Sequence, residues 1–149
     1  MTAPTIHATA VLAGARAVLI RGPAGAGKSS LAFALVCAAD SGVIPFARLI
    51  GDDRVHVEAV HGRLLVRPAQ TILGLIEIRG LGIRQLSHEP VAAVGLVVDL
   101  GAGDAERLPA RESAVTDIAG IALPRLAVAP RTDPLPLLIA ALRTKDSGR

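Results

Sequence analysis

The sequence predicts a single α/β domain, a P-loop-containing mixed β-sheet flanked by helices. Three observations carry that expectation. The chain has 149 residues, 51% hydrophobic and 19% charged, which suits one domain with an ordinary core. Short apolar and alternating runs recur between Gly- and Pro-marked turns. The segment Gly22-Pro23-Ala24-Gly25-Ala26-Gly27-Lys28-Ser29 fits the phosphate-binding pattern G-x-x-x-x-G-K-[ST] at every fixed position. The domain is read as spanning 1–149, with a short C-terminal tail.

The elements follow in order. Ile6 to Leu12 reads as a strand, and Gly14 turns it into a second strand, Ala17–Ile20. The phosphate-binding loop comes next. Its glycines let successive N–H groups point at a phosphate chain, Lys28 supplies a positive charge, and Ser29 offers a hydroxyl to Mg²⁺. Ser30 starts a run to Ala39 that lacks Gly and Pro and reads as a helix, with its positive dipole end at the same anion. Asp40-Ser41-Gly42 and Pro45 stop it. Arg48–Gly51 leads into Asp52-Asp53-Arg54. Val55–Val60 and Leu64–Val66, around His61-Gly62-Arg63, read as a second hairpin. Gln70 to Gly82 mixes apolar residues with glycines. Ala92–Leu100 suits a buried strand, and Gly101–Glu112 a polar loop. Val115–Ile121 and Leu126–Ala129 read as short strands, Pro134–Leu142 as a terminal helix, and Lys145–Arg149 as a fraying tail.

Composition narrows the partners. The net charge is +3, but nearly all basic residues are Arg, and Lys28 and Lys145 are the only lysines. With no Trp or Tyr, and only Phe33 and Phe46, the chain lacks stacking platforms for single-stranded nucleic acid, so no nucleic-acid partner is expected. Cys37 is the only cysteine and is expected to be a buried structural thiol. No Cys/His metal spacing, membrane-length apolar run or secretory signal is present, so a soluble cytoplasmic protein is expected, with no membrane partner.

Phosphoryl transfer needs a phosphate cradle, a metal, a proton acceptor and positive charge at the transferred group. Asp52-Asp53 follows a short apolar run, where an acid can emerge at a strand's end near the phosphates. Adjacent carboxylates repel, so one can exchange a proton near neutral pH; the competing reading is a solvated turn paired with Arg54. Asp99, in Val97-Val98-Asp99, resembles a Walker B acid or else ends a strand. Glu77 stands between apolar neighbours and is either a metal ligand or a partner of Arg79. His7 is structural or catalytic; His56, His61 and His88 receive no role.

Three blocks together resemble the catalytic, C-terminal domain of bacterial HPr kinase/phosphorylase. They are His7 through Ser29, with the His fifteen residues before Gly22; Leu49-Ile50-Gly51-Asp52-Asp53-Arg54-Val55; and Gly74-Leu75-Ile76-Glu77-Ile78-Arg79-Gly80-Leu81-Gly82-Ile83. The resemblance implies the HPr kinase/PEP carboxykinase-like fold and a Mg-ATP-dependent kinase for a serine of an HPr-like phosphocarrier protein. It also implies reverse phosphorolysis with inorganic phosphate and pyrophosphate. Residues Gly22 to Ser30, Pro23, Ala24, Gly25, Ala26 and Gly27 included, would bind the nucleotide, with Lys28 on the β/γ-phosphates. Ser29 and Glu77 would hold Mg²⁺. Asp52 would take the serine proton, Asp53 would support it, and His7 and Arg107 would match active-site positions. Asp99 becomes a structural strand end.

The chain starts close to His7, as in short alphaproteobacterial-type forms without the N-terminal domain. Such forms imply a regulatory role in the phosphotransferase system and in carbon and nitrogen metabolism. A homo-oligomer, a hexamer by family analogy, is implied. The late segment Ala127–Pro134 keeps one Arg, Arg131, of the loop tied to phosphorolysis, so the kinase direction is implied more strongly than the reverse. Two other readings stand beside this one: a small-molecule kinase using Asp99 as Walker B, and a nucleotide-binding regulatory module without transfer.

Overall fold

In the computed structural model, which describes residues 4–147, most of the expected strands lie side by side. The order is β1 (Thr5–Ile6), β2 (Thr9–Ala13), β3 (Arg16–Arg21), α1 (Lys28–Asp40), β4 (Ala47–Gly51), β5 (Val55–Val60) and β6 (Arg63–Pro68). Then come β7 (Leu75–Ile78), β8 (Gly82–Gln85), β9 (Ala92–Leu100), β10 (Val115–Ile118), β11 (Ile121–Val128) and α2 (Pro134–Arg143). Among the described residues nine strands form one mixed sheet, in the order β1-β5-β6-β9-β3-β2-β4, with β11 beside β9 and β10 beside β11. Strand β9 pairs in parallel with both β3 and β11, so the carboxyl ends of the three share one edge. No helix of the described residues is long and apolar enough to cross a membrane.

Period-two alternation builds a core on each face of this sheet. Val18 and Ile20 of β3 point to one face, where Leu31, Leu35 and Ala38 of α1 and Leu138 of α2 cover them. Ala17 and Leu19 point to the other, where Ile50, Val55, Leu64 and Leu123 close over them. Both helices therefore share one face, and the second core is made by strands alone. Full burial of a side chain such as Leu19 contributes about 1.5–3 kcal/mol.

Several expectations change in detail. The strand expected from Ile6 to Leu12 is broken at His7 and Ala8, because β1 pairs with β5 while β2 pairs with β3 and β4. Cys37 is exposed, not buried, since α1 turns Leu35 and Ala38 to the sheet and leaves Cys37 facing outward. Gln70 to Gly82 holds a short 3-10 turn and then β7, which pairs with β8 in a separate two-stranded sheet. The expected strand Val115–Ile121 ends at Ile118, and a turn at Ala119-Gly120 returns the chain into the longer β11. Of the expected tail, 148–149 lie outside the described residues.

One ionic network pins the strand ends beneath the phosphate-binding loop. Arg21, the last residue of β3, pairs in register with Asp99 of β9, and its guanidinium donates to both Asp99 oxygens at 2.7 and 2.8 Å. Arg125 of β11 also donates to Asp99, and further to Asp104 at 2.7 and 3.0 Å and to the Ser113 carbonyl at 2.9 Å. Burial opposes ionisation of Asp99, but the hydrogen bonds and charges of Arg21 and Arg125 outweigh it and hold the carboxyl below its ordinary value of 3.8. Hydrogen bonds from Arg125 likewise lower Asp104.

Because the folded state lowers these carboxyl groups, their stabilisation is present above the unfolded value and is lost as pH falls through the folded one. Asp99→Asn leaves two guanidinium groups short of a partner. At neutral pH it is expected to cost about 3 kcal/mol, or roughly 6–12 °C in Tm. Thermal melts from pH 7 to pH 2 should also show a shallower acid loss below pH 3.8 for the variant than for the parent chain. Parallel curves would contradict the assignment.

Candidate active site

The chain leaves β3 at Gly22, where the φ of 157° and the close approach of β9 both favour glycine. A Cβ at this position would come within 3.1 Å of both the Cβ and the carbonyl oxygen of Leu100. The strand end of β9 thus presses directly on the entrance of the phosphate-binding loop. The loop closes through Ala26 N–H donating to the Pro23 carbonyl at 3.0 Å. It exits through Gly27 in a left-handed conformation, φ 99°, into α1. Lys28 is 7% exposed, and its ammonium donates to the Gly22 and Pro23 carbonyls at 2.8 and 3.2 Å. A buried ammonium held only by neutral carbonyls, at the positive end of a 13-residue helix, makes this loop strongly attractive to an anion.

Beside the loop lies a cleft of 260 Å³ with mostly polar walls. Ala24, Gly25, Gly27, Lys28, Ser29 and Ser30 form one side. His7, Thr9, Asp53, Glu77 and Arg79 form the other. Asp52 lies just beneath, 4% exposed. Its Oδ1 accepts hydrogen bonds from Thr9 Oγ1 at 2.8 Å and Ser29 Oγ at 2.6 Å, and its Oδ2 accepts the Glu77 backbone N–H at 3.1 Å. Thus β2, α1 and β7 each contribute one donor to a carboxylate on the loop after β4. No cation pairs with it among the described residues.

Asp53 takes the opposite course. Its backbone adopts φ 70°, unusual for a residue with a side chain and costing about 1 kcal/mol or more. The Asp53 N–H donates to Thr9 Oγ1 at 3.2 Å, while the carboxylate reaches out to His7 Nε2 at 2.8 Å. The two adjacent acids therefore face different environments; Arg54 N–H donates to the Asp52 carbonyl at 2.8 Å in a tight turn, but among the described residues neither carboxylate pairs with the Arg54 side chain, as the competing reading would have it. Glu77 is exposed to the cleft, and its carboxylate makes no ion pair with Arg79.

Not every expected residue converges. Gly22 underlies the cleft without lining it, and Pro23 and Ala26 face a second cleft on the far side of the loop. Arg107 is exposed on the segment between β9 and β10 and lines neither cleft. Asp99, the Walker B candidate, has both oxygens engaged by arginines. Two residues not expected at the site are Thr9 and Arg79. Thr9 is fully buried and polar inside an apolar strand, a signal already visible in the chain.

The donor set also suits a hard cation. A hydroxyl has one proton and two lone pairs, so Ser29 can donate to Asp52 and still offer oxygen to Mg²⁺. Among the described residues no three His, Cys or acidic side chains form a metal cage, and Mg²⁺ does not need one. It commonly binds one or two protein oxygens together with phosphate and water.

Thr9→Val keeps the shape of the side chain but removes one donor from Asp52 and the acceptor for Asp53 N–H. It is expected to destabilise the chain by roughly 2 kcal/mol, read as a lower urea midpoint with an unchanged slope. An unshifted midpoint would show that these bonds contribute nothing.

Comparison with known proteins places this geometry. Residues 2–129 match the family described as HPr Serine kinase C-terminal domain. The HPr kinase/phosphorylase of Streptococcus thermophilus is 41% identical over 80 residues, covering 53% of this chain and 24% of that protein. The HPr kinase/phosphorylase of Clostridium beijerinckii is 33% identical over 78 residues, 52% of this chain and 24% of that one. The matched region thus spans about a quarter of the length of these curated relatives. The solved Hpr(Ser) kinase/phosphatase from Coxiella burnetii shares the fold, with a TM-score of 0.74 over 94% of this chain and 88% of that chain, at 24% identity. With the family match running through β1 to β11 and containing every residue of the cleft, this chain belongs to the family of HPr serine kinase C-terminal domains.

Proposed function

We propose that this chain transfers the γ-phosphoryl group of Mg-ATP to a serine of an HPr-like phosphocarrier protein. The observation that carries the proposal is Asp52, a buried carboxylate with neutral donors and no counter-ion, beneath a phosphate cradle. The loop N–H groups and Lys28 would hold the β/γ-phosphates and offset charge as it develops. Ser29 and Glu77 would hold Mg²⁺, which supplies Lewis-acid stabilisation of the phosphoryl oxygens.

In the forward direction the serine oxygen attacks the γ-phosphorus, and the bond from that phosphorus to the β,γ-bridging oxygen breaks. The serine proton passes to Asp52, whose edge lies behind Thr9 and Ser29. In phosphorolysis, inorganic phosphate would attack phosphoserine, Asp52 would return the proton, and pyrophosphate would leave. Arg79 places a guanidinium at the cleft, where the transferred group would pass. Arg107 receives no step. A second assignment of the base has its own support: Asp53 lines the cleft and is joined to His7, a carboxylate–imidazole pair that can also accept a proton.

The mass of a cognate HPr incubated with the protein, ATP and Mg²⁺ is expected to rise by one phosphate. Asp52→Asn should lower the transfer rate by about 10²–10⁴-fold while ATP still binds, and Asp53→Asn should cost less. The reverse ranking would move the base to Asp53 and His7. Lys28→Ala should weaken both nucleotide binding and transfer. Tight ATP binding by the folded parent chain, with no phosphate on HPr, would leave a nucleotide-binding regulatory module and end the kinase reading.

A further inference from the structure

The proposed transfer uses the carboxyl ends of the parallel strands. Their amino ends carry charge that it leaves unused. A cavity of 190 Å³ opens there, between the starts of β3, β6 and β11 and the first half of β9. Arg16, the first residue of β3, and Arg63, the first of β6, both line it. The strands of the nine-stranded sheet hold four other arginines, Arg21, Arg48, Arg67 and Arg125, and each of those is paired with a carboxylate. Among the described residues the side chains of Arg16 and Arg63 have no hydrogen bond or ion pair, and no carboxylate lines their cavity. The two unpaired arginines of the sheet therefore meet at one place.

Gly95 brings them together. Ala17 pairs with Val94 and Val18 with Leu96, so a bulge leaves Gly95 without a partner on β3. A Cβ at Gly95 would lie 2.8 Å from both the Cβ and the Cδ of Arg16. The missing side chain is thus the bed on which the Arg16 stem lies. On the other side of β9, β6 runs antiparallel, with Leu65 opposite Ala93. Two residues further along, Arg63 reaches the level of Gly95. One glycine is flanked by two arginines from neighbouring strands, and Leu64, Val94, Ile121 and Leu123 supply hydrocarbon walls.

This combination selects its ligand. A guanidinium meets a carboxylate through paired N–H donors, and two like charges lining one cavity favour an anionic group for each. A phosphate ion would answer the charges but leave the hydrocarbon walls in water. A short aliphatic dicarboxylate answers both, with an anion at each end and CH₂ groups between.

We propose that the amino ends of β3 and β6 form a binding site for a succinate-sized dicarboxylate, one carboxylate on Arg16 and the other on Arg63. The length of β3 separates this site from the phosphate-binding loop, so the assignment does not rest on the kinase reading.

Succinate titrated into the ¹⁵N-labelled chain is expected to give saturable amide shifts at Gly62, Arg63 and Gly95, with Gly25 and Gly27 of the loop unmoved. Both arginines are exposed, so Arg16→Gln and Arg63→Gln should keep the parent spectrum and each weaken succinate by about tenfold or more. Butyrate, with the same chain length and one carboxylate, should bind more weakly than succinate by a similar factor. Shifts that do not saturate, shifts confined to the loop, or parent-like affinity in either folded variant would overturn the site. Phosphate or butyrate matching succinate at the same amides would overturn the dicarboxylate.

Discussion

Burying the Asp52 carboxylate is the constraint around which the site is assembled. A charge 4% exposed costs several kcal/mol unless its lone pairs are met, and here they are met by groups from three separate elements. Thr9 must come from β2, Ser29 from the first turn of α1, and the Glu77 amide from the separate β7–β8 hairpin. Ile76 anchors the hairpin in the core beside α1, and this hydrogen bond adds a polar tie that sets its place at the cleft. Thr9 also receives the Asp53 N–H, so one hydroxyl positions both acids.

The ionic network beneath the loop solves a different problem. At Gly22 the loop backbone passes so close to Leu100 that an added Cβ would lie 3.1 Å from it, so the loop starts directly against the end of β9. Asp99, one residue earlier, is clamped by Arg21 from β3 and Arg125 from β11. The same Arg125 fastens Asp104 and Ser113, near the two ends of the segment that carries Arg107. Three parallel strand ends are therefore locked to one another just below the Gly-rich loop.

Much of this could be read from the chain before folding. The phosphate-binding pattern, the hairpin at His61-Gly62 and the helix beginning at the Lys28-Ser29 step depend on local chemistry, and local chemistry is written in adjacent residues. Asp52, Asp53, Glu77 and His7 were expected at the site and do gather there. Contacts distant in sequence were not readable in that way. Nothing adjacent to Asp99 says that Arg125 will reach it, so its acid could be mistaken for a metal ligand. Thr9 carried a weak signal, a hydroxyl among apolar strand residues, but its partner lies 43 residues away. Cys37 was misjudged because an apolar helix has no polar stripe to reveal which side faces out, and the sheet alone decides it.

The two clefts share Ala24 and Gly25, so one strip of backbone walls both sides of the loop. A strip that thin leaves no layer of packed side chains between the two spaces. A larger side chain at Ala24 or Gly25 therefore narrows both at once, and small residues there keep both sides of the loop open.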